Sequence, residues 1–411
     1  MYLFARTLGL QVVFCHLAFS QVVSPVAEKC GPSSASVVCI NRYGAVLPYH
    51  FYRSPNGTAE DPYGLTSVPA DPSFAQVATA DFLIFDRSRG LDILGPNPTY
   101  KHVFNVSQAI HEAPVWVPKL NKLFLSQLAP PPGYLPQLVV DLNVSPPTLS
   151  EYLSDPPVYA PNGGTFHNGL IYWCVSGGNM SIGGVESRPG IATLDTTTNK
   201  AVTILNNYFG YYFNDCDDLT IDRSGNIWFT DPFYSWFQAI DDTAPQMATG
   251  TYHFNPSTGA VRIVEDSLAQ PNGIAISPDG KTMYISDTGA ATGIYSPLLP
   301  SQGFVFNSTG PRSIYAYDIH HSGSISNKRA FYRALHGGPD GVKVAKNGYV
   351  VTAAGTGVDV LDETGTLLVR VQTSYAVQNF AWVGEEMKEL WLVGFGGISK
   401  VTWGLEGQEL K

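Results

Sequence analysis

Residues 270–288 read QPNGIAISPDGKTMYISDT. Two β-rich runs, Ile274-Ala275-Ile276 and Met283-Tyr284-Ile285-Ser286, flank a polar turn, Pro278-Asp279-Gly280-Lys281. That pattern predicts two antiparallel strands joined by a tight hairpin, with Asp279 in the turn. Asn272 stands just before the first strand, in Pro-Asn-Gly. Proline fixes the approach and glycine removes bulk, so the amide is expected to project from the end of a sheet rather than into a core.

The same unit recurs. Residues 115–125 read VWVPKLNKLFL, 165–174 TFHNGLIYWC, 219–231 LTIDRSGNIWFTD, 342–352 VKVAKNGYVVT and 380–393 FAWVGEEMKELWLV. Each is an apolar strand, a turn with Asp, Asn, Gly or Lys, and a second strand rich in Trp, Tyr, Ile or Val. Third and fourth strands follow several of them, as at 250–254 and 260–264. Radial repetition of four antiparallel strands is a propeller blade. Six copies predict an all-β, six-bladed β-propeller; a sandwich explains the regular spacing less well. The expected organisation is a signal peptide over 1–20, an irregular N-terminal extension over 21–80, and the propeller over 81–411. Residues 82–85 and 91–94 read as strands, and residues before the first repeat are expected to close the last blade. An insertion after Asp287, reaching about Gln302, is expected to lie over one end of the channel. Trp116, Trp173 and Trp228 read as core between blades. Asp231 and Asp287 read as structural, bonding across blade turns.

Inner strands of a propeller converge on a central channel, so residues at their heads meet although far apart in sequence. Four heads carry oxygen-bearing side chains: Glu112, Asp217, Asn272 and Asp340. Hard oxygen donors gathered on one axis suit Ca²⁺, with Mg²⁺ or Mn²⁺ also possible. Asn379 precedes the sixth repeat and reads as strand-head structure.

The segments 111–116 (HEAPVW), 162–169 (NGGTFHNG), 213–232, 270–288 and 338–341 (GPDG) resemble the gluconolactonase-type six-bladed propellers, a family that includes the senescence-marker lactonases and fungal-type lactonohydrolases. The resemblance covers roughly residues 105–405. It implies a divalent metal, usually calcium, held by a Glu, two Asn and an Asp, which fall on Glu112, Asp217, Asn272 and Asp340. It also implies lactone hydrolysis, with the metal polarising the carbonyl and Asp340 as general base, and His111 and His167 binding substrate or shuttling protons. Where the family shows Asn-Asp before the Leu-Thr-Ile strand, this chain has Asp217-Asp218. A register using Asn214-Asp215 is the alternative. Two other readings of the same fold stand beside hydrolysis: a metal propeller catalysing a non-hydrolytic step, and a binding propeller with structural calcium.

Composition narrows the partners. The 411 residues carry a formal net charge of −10 and only 14% charged side chains. An acidic chain is a poor match for nucleic acid or anionic membranes and suits a cation site or a neutral substrate, which the resemblance implies is a small-molecule lactone. Arg6 followed by a mostly apolar run at 8–19, with small Ala18 and Ser20, reads as a secretory signal cleaved after Ser20. Five sequons, at Asn56, Asn105, Asn143, Asn179 and Asn307, agree with a secreted glycoprotein. Four cysteines remain after processing and allow three pairings; Cys30–Cys39, with its short loop, and Cys174–Cys216 are favoured. No Gly-x-Ser-x-Gly elbow and no phosphate-cradling loop occur.

Overall fold

Six sheets, five of them wholly antiparallel, stand around one axis in the computed structural model, which describes residues 25–53, 61–128, 136–178, 187–295, 301 and 303–410. Their inner strands are Ile110–Val117, Pro161–His167, Leu219–Ile221, Pro271–Ile276, Pro339–Val344 and Val377–Val383. Each packs against the next, and the sixth returns to the first, so the ring is closed. The hairpin that begins this account forms as read. Gly280 takes a φ of 77°, and the Asp279 carboxylate accepts from Ser277 Oγ at 2.6 Å and from the Lys281 N–H at 3.1 Å. Asp279 is thus a turn residue.

The apolar face of each sheet is buried against its neighbours. Trp173, Trp228 and Trp391 are at most 1% exposed, and the Trp228 indole N–H donates to Asp222 at 3.1 Å. Closure of the ring uses a strand from before the repeats. Thr99–Asn105 pairs antiparallel with Gly397–Thr402 as the outermost strand of the sixth blade. Strands from before the first repeat and from the last therefore share a sheet, and the ring cannot open without breaking that ladder.

Two segments differ from the sequence reading. Residues 91–94 lie in a helix, Arg87–Leu94, not a strand. Asp86 caps it by accepting the Arg89 N–H at 3.0 Å, and Gly95 at φ 68° stops it. Cap and stop outweigh the short apolar run. The 21–80 segment is also more regular than expected. Ala27–Lys29 and Val37–Ile40 are strands, and the second lies parallel to Phe82–Ile84, which itself pairs with Leu367–Gln372. Together they extend the fifth blade to seven strands.

Both favoured disulfides are present, Cys30–Cys39 and Cys174–Cys216. The second ties the second blade to the segment that opens the third. The insertion of the fourth blade forms a two-stranded ribbon, Ala291–Gly293 with Phe304–Phe306. It packs on the short helix Tyr234–Phe237 of the third blade: Tyr234 donates its hydroxyl to the Thr288 carbonyl at 3.0 Å, and the Phe233 and Tyr295 rings lie 5.7 Å apart.

Candidate functional site

The heads of the inner strands are irregular in a repeated way. Pairing slips by one residue between Glu112 and Val115, Pro161 and Gly163, Pro271 and Ile274, Pro339 and Val342, and Val377 and Asn379. An extra residue at a sheet end bends the strand and re-aims its side chain. Aligning the blades on these bulges places one polar side chain per blade at the channel mouth: Glu112, Asn162, Asp217, Asn272, Asp340 and Gln378. Glu112, Asn162, Asp217 and Asn272 are buried, and Asp340 is partly accessible.

The next position inward is kept small. Ala113, Gly163, Gly273 and Gly341 occupy it in four blades, leaving room for Asp218 and Asn379 in the other two. A Cβ on Gly163 would fall 2.4 Å from Asp218 Oδ1, and one on Gly341 would fall 2.6 Å from Asn379 Cγ. The recurrent Asn-Gly and Asp-Gly pairs are therefore packing requirements of the mouth. Second-strand hydroxyls hold it from outside. Ser126 donates to the Pro161 carbonyl at 2.5 Å, Thr230 to the Asn272 carbonyl at 2.6 Å, and Ser286 to the Asp340 carbonyl at 2.9 Å. Asp231 and Asp287 are structural, as expected. They accept from the N–H groups of Asn214 and Asp215, and of Ala269, Gln270 and Gly289.

Electrostatics show that the acids share one environment. Burial, then the charges of Asp340 and Asp218, push Glu112 well above the usual carboxylate range, against hydrogen bonds from Asn379 and the Ala113 N–H. Burial also lifts Asp217, helped by Asp215, Asp340, Glu112 and Asp218. Asp340 rises to about 7, through burial and the Asp218 charge, with the Asn272 side-chain hydrogen bond opposing. Asp218 rises to about 6 through burial, held down by Lys343 and by the N–H groups of Leu219, Ile274 and Gly164. Buried carboxylates facing one another without a counter-ion favour the neutral form. Oδ2 of Asp217 and Oδ2 of Asp218 have no hydrogen-bond partner among the described residues.

Orphaned carboxylate oxygens, an adjacent amide and an all-oxygen donor set fit a hard dication held by Glu112, Asp217, Asn272 and Asp340. Among the described residues, no three His, Cys, Asp or Glu side chains stand close enough together to hold a metal ion as they are placed. The alternative register offers the same kind of donor: the Asn214 Nδ2–H donates to Asp231 at 2.9 Å and Asp215 Oδ2 accepts the Ser235 N–H at 3.0 Å, while Asn214 Oδ1 and Asp215 Oδ1 are, like Asp217 Oδ2, buried without a hydrogen-bond partner.

Neither histidine joins the acids. His111 is fully buried, and its Nδ1 bonds the Gly394 carbonyl of the sixth blade at 3.0 Å. It neighbours Glu112 in sequence, but alternation along the strand turns it to the blade interface. Burial depresses its pKa, leaving a neutral structural imidazole. His167 ends the second inner strand, five residues past Asn162. At strand rise that is about 16 Å away. It lines the other mouth of the channel, a cavity of ≈ 1160 Å³ shared with Trp116, Trp228, His253 and Trp382. Glu112, Asp217, Asp218 and Asp340 do not line that cavity.

Sequence reasoning passed over Asn162, Gln378, Asp218 and Tyr234. Asn162-Gly163 repeats the Asn272-Gly273 pair and was legible. Gln378 precedes Asn379, so a one-residue bulge hides it. Tyr234 is a buried phenol whose pKa is raised by burial and by Asp217, Asp340 and Asp287; it reaches the site only through a blade-top loop.

The family model for the SMP-30/gluconolactonase/LRE-like region matches residues 168–298 and 300–394. Lactonohydrolase oryL of Aspergillus oryzae is 45% identical over 403 residues, covering 97% of this chain and 92% of that protein. Lactonohydrolase oryH of the same fungus is 37% identical over 471 residues, covering all of both. The solved gluconolactonase XC5397 of Xanthomonas campestris has a TM-score of 0.61 at 23% identity, covering 78% of this chain and 94% of its own. A calcium-binding regucalcin from Agrobacterium tumefaciens has a TM-score of 0.55 at 15% identity, covering 75% and 95%. At such identities the structures show a shared fold.

Proposed function

The chain belongs to the SMP-30/gluconolactonase/LRE-like family, and from that premise we propose that it is a secreted, dication-dependent lactonase whose site is the acid-and-amide ring at the channel mouth. The observation that carries this reading is that Glu112, Asp217, Asn272 and Asp340 stand at the heads of inner strands of four blades, the first three buried, with Oδ2 of Asp217 left without a hydrogen-bond partner. Both Aspergillus relatives bear the name lactonohydrolase, which supports the reaction class.

Glu112, Asp217, Asn272 and Asp340 would hold the ion, calcium by preference, with magnesium or manganese as substitutes. When bound, it supplies an electrophile for the lactone carbonyl oxygen. The remaining work belongs to the chain. Asp340 is the partly accessible carboxyl of the ring, so water can reach it. Its carboxyl rises to about 7, which matches a general base working near neutral pH. Asn272 hydrogen-bonds that carboxyl and orients it. Asn162 and Gln378 offer further amide groups to the substrate from the second and sixth blades. Tyr234 walls the mouth beneath the insertion.

Secretion is supported by the two disulfides. The described sequons Asn105, Asn143 and Asn307 are all exposed; Asn56, Asn179 and the signal segment lie outside the described residues. No helix among the described residues is long and apolar enough to cross a membrane.

The test is a pH-stat assay of the purified protein on aldonolactones and aromatic lactones, with and without chelator. Chelation should abolish acid release and calcium should restore it. Full turnover in chelator, or no turnover on any lactone by folded, calcium-loaded protein, would overturn the reading. Asp340→Asn should lower kcat by roughly 10²–10⁴-fold with little change in KM.

A further inference from the structure

Asp231 and Asp287 end the second strands of the third and fourth blades. They are flanked by Thr230 and Pro232 in the third blade and by Ser286 and Thr288 in the fourth. Thr230 donates to the Asn272 carbonyl and Ser286 to the Asp340 carbonyl. Pro232 has no hydroxyl to add. Thr288 has one, and it donates to the Pro339 carbonyl at 2.6 Å. That carbonyl belongs to the peptide entering Asp340, and the Asp340 carbonyl to the peptide leaving it. Two hydroxyls of the neighbouring blade thus pin Asp340 on both sides of its α-carbon. Among the described residues, Asn272 has such a pin on one side. Fixing both flanking peptide planes fixes the two soft dihedrals between them, and with those the direction in which the side chain leaves.

Thr288 is itself held, at 8% exposure. Its N–H donates to the Gln270 carbonyl at 3.0 Å, two residues before Asn272. Its carbonyl accepts the Tyr234 hydroxyl at 3.0 Å and the Ala291 N–H at 2.8 Å. Ala291 opens the ribbon of the insertion, and Tyr234 opens the helix on which that ribbon packs. The contact with the fifth blade has no slack, because a Cβ on Gly338 would fall 2.6 Å from Thr288 Cγ2. One buried residue therefore joins the third-blade helix, the insertion and the heads of the fourth and fifth blades. Its carbonyl and its hydroxyl hang from one α-carbon, so unseating the insertion shifts the hydroxyl against Pro339.

We propose that Thr288 is a positioning residue for Asp340, and that through it the seating of the insertion on the Tyr234 helix sets the aim of the carboxyl at the channel mouth. The kinetic arm of the test rests on the lactonase reading above, with Asp340 as base; the exchange arm does not.

The experiment is a double-mutant cycle on the full chain, saturated with calcium: Thr288→Val, Tyr234→Phe and the pair together, with Thr288→Ser as the hydroxyl-keeping variant. Turnover is measured on a lactone that wild type opens, and hydrogen exchange over residues 339–344 is followed by mass spectrometry. Thr288→Val keeps the shape and removes the hydroxyl. Its kcat should fall about tenfold with KM changed by less than about twofold, and exchange over 339–344 should quicken. Thr288→Ser should match wild type in both. Tyr234→Phe should lower kcat and quicken the same exchange by itself, yet add nothing to Thr288→Val, because its effect travels through the hydroxyl already removed. Thr193→Val, which deletes a hydroxyl donor to the Val202 carbonyl in the outer strands of the second blade, controls for lost stability and should leave kcat unchanged. The proposal is overturned if Thr288→Val keeps wild-type kcat and exchange, if Thr288→Ser loses as much as Thr288→Val, or if Tyr234→Phe acts by the same factor in both backgrounds. If wild type opens no lactone, the lactonase reading falls and the exchange cycle alone decides the coupling. Should Thr288→Val not fold, Thr288→Ala takes its place.

Discussion

Replacing Asp340 by Asn in metal-free protein tests the electrostatic account of the mouth most directly. The carboxyl rises from 3.8 to about 7 on folding. The folded state therefore binds its proton more tightly than the unfolded chain does. The stability this contributes is fully present below pH 4 and is lost as pH climbs through 7. About three pH units correspond to about 4 kcal/mol, an upper figure because part of the carboxyl meets water. For a chain of this length, the unfolding entropy converts that into at most about 5 °C in melting temperature. Asn keeps the shape and never ionises. In chelator, the Asp340→Asn melt minus the wild-type melt should be near zero at pH 4–5 and rise to several degrees by pH 8. Saturating calcium should abolish or reverse the advantage, because the wild-type carboxylate then has its counter-charge. A difference that stays flat from pH 4 to pH 8 would refute the claim that Asp340 sits among uncompensated acids.

Three further outcomes are expected. Ser286→Ala deletes the hydroxyl donor to the Asp340 carbonyl, which should cost about 1–2 kcal/mol in denaturant unfolding and weaken calcium binding, with Ser286→Thr restoring both. Replacing Cys174 and Cys216 together opens a link spanning 42 residues, worth about 4 kcal/mol by chain entropy, so the melt should drop by about 5 °C. His167→Ala should leave kcat and KM on lactones unchanged, since that ring lies at the far mouth of the channel; a tenfold fall in either would return it to the mechanism.

Local chemistry wrote the hairpins and the turn role of Asp279, because alternation and turn residues act over a few positions. It also marked four of the six strand heads, since Glu112, Asp217, Asn272 and Asp340 each precede an apolar run. The helix at Arg87–Leu94 was legible too, in Asp86 and Gly95, but the apolar residues at 91–94 drew the reading away. Other features depend on how blades stack. A bulge of one residue decides that Gln378 rather than Asn379 stands level with Asn272. The fifth blade takes in Ala27–Lys29 and Val37–Ile40 because a free sheet edge was available to pair them. His111 and Glu112 are adjacent in sequence, yet alternation sends one to a blade interface and the other to the mouth. Asp218 fills the space beside Gly163 of the neighbouring blade, a fit that exists only because ring closure turns six strand heads toward one axis. Strand pairing is set by neighbours in the chain; the charge balance of the channel is set by neighbours in space.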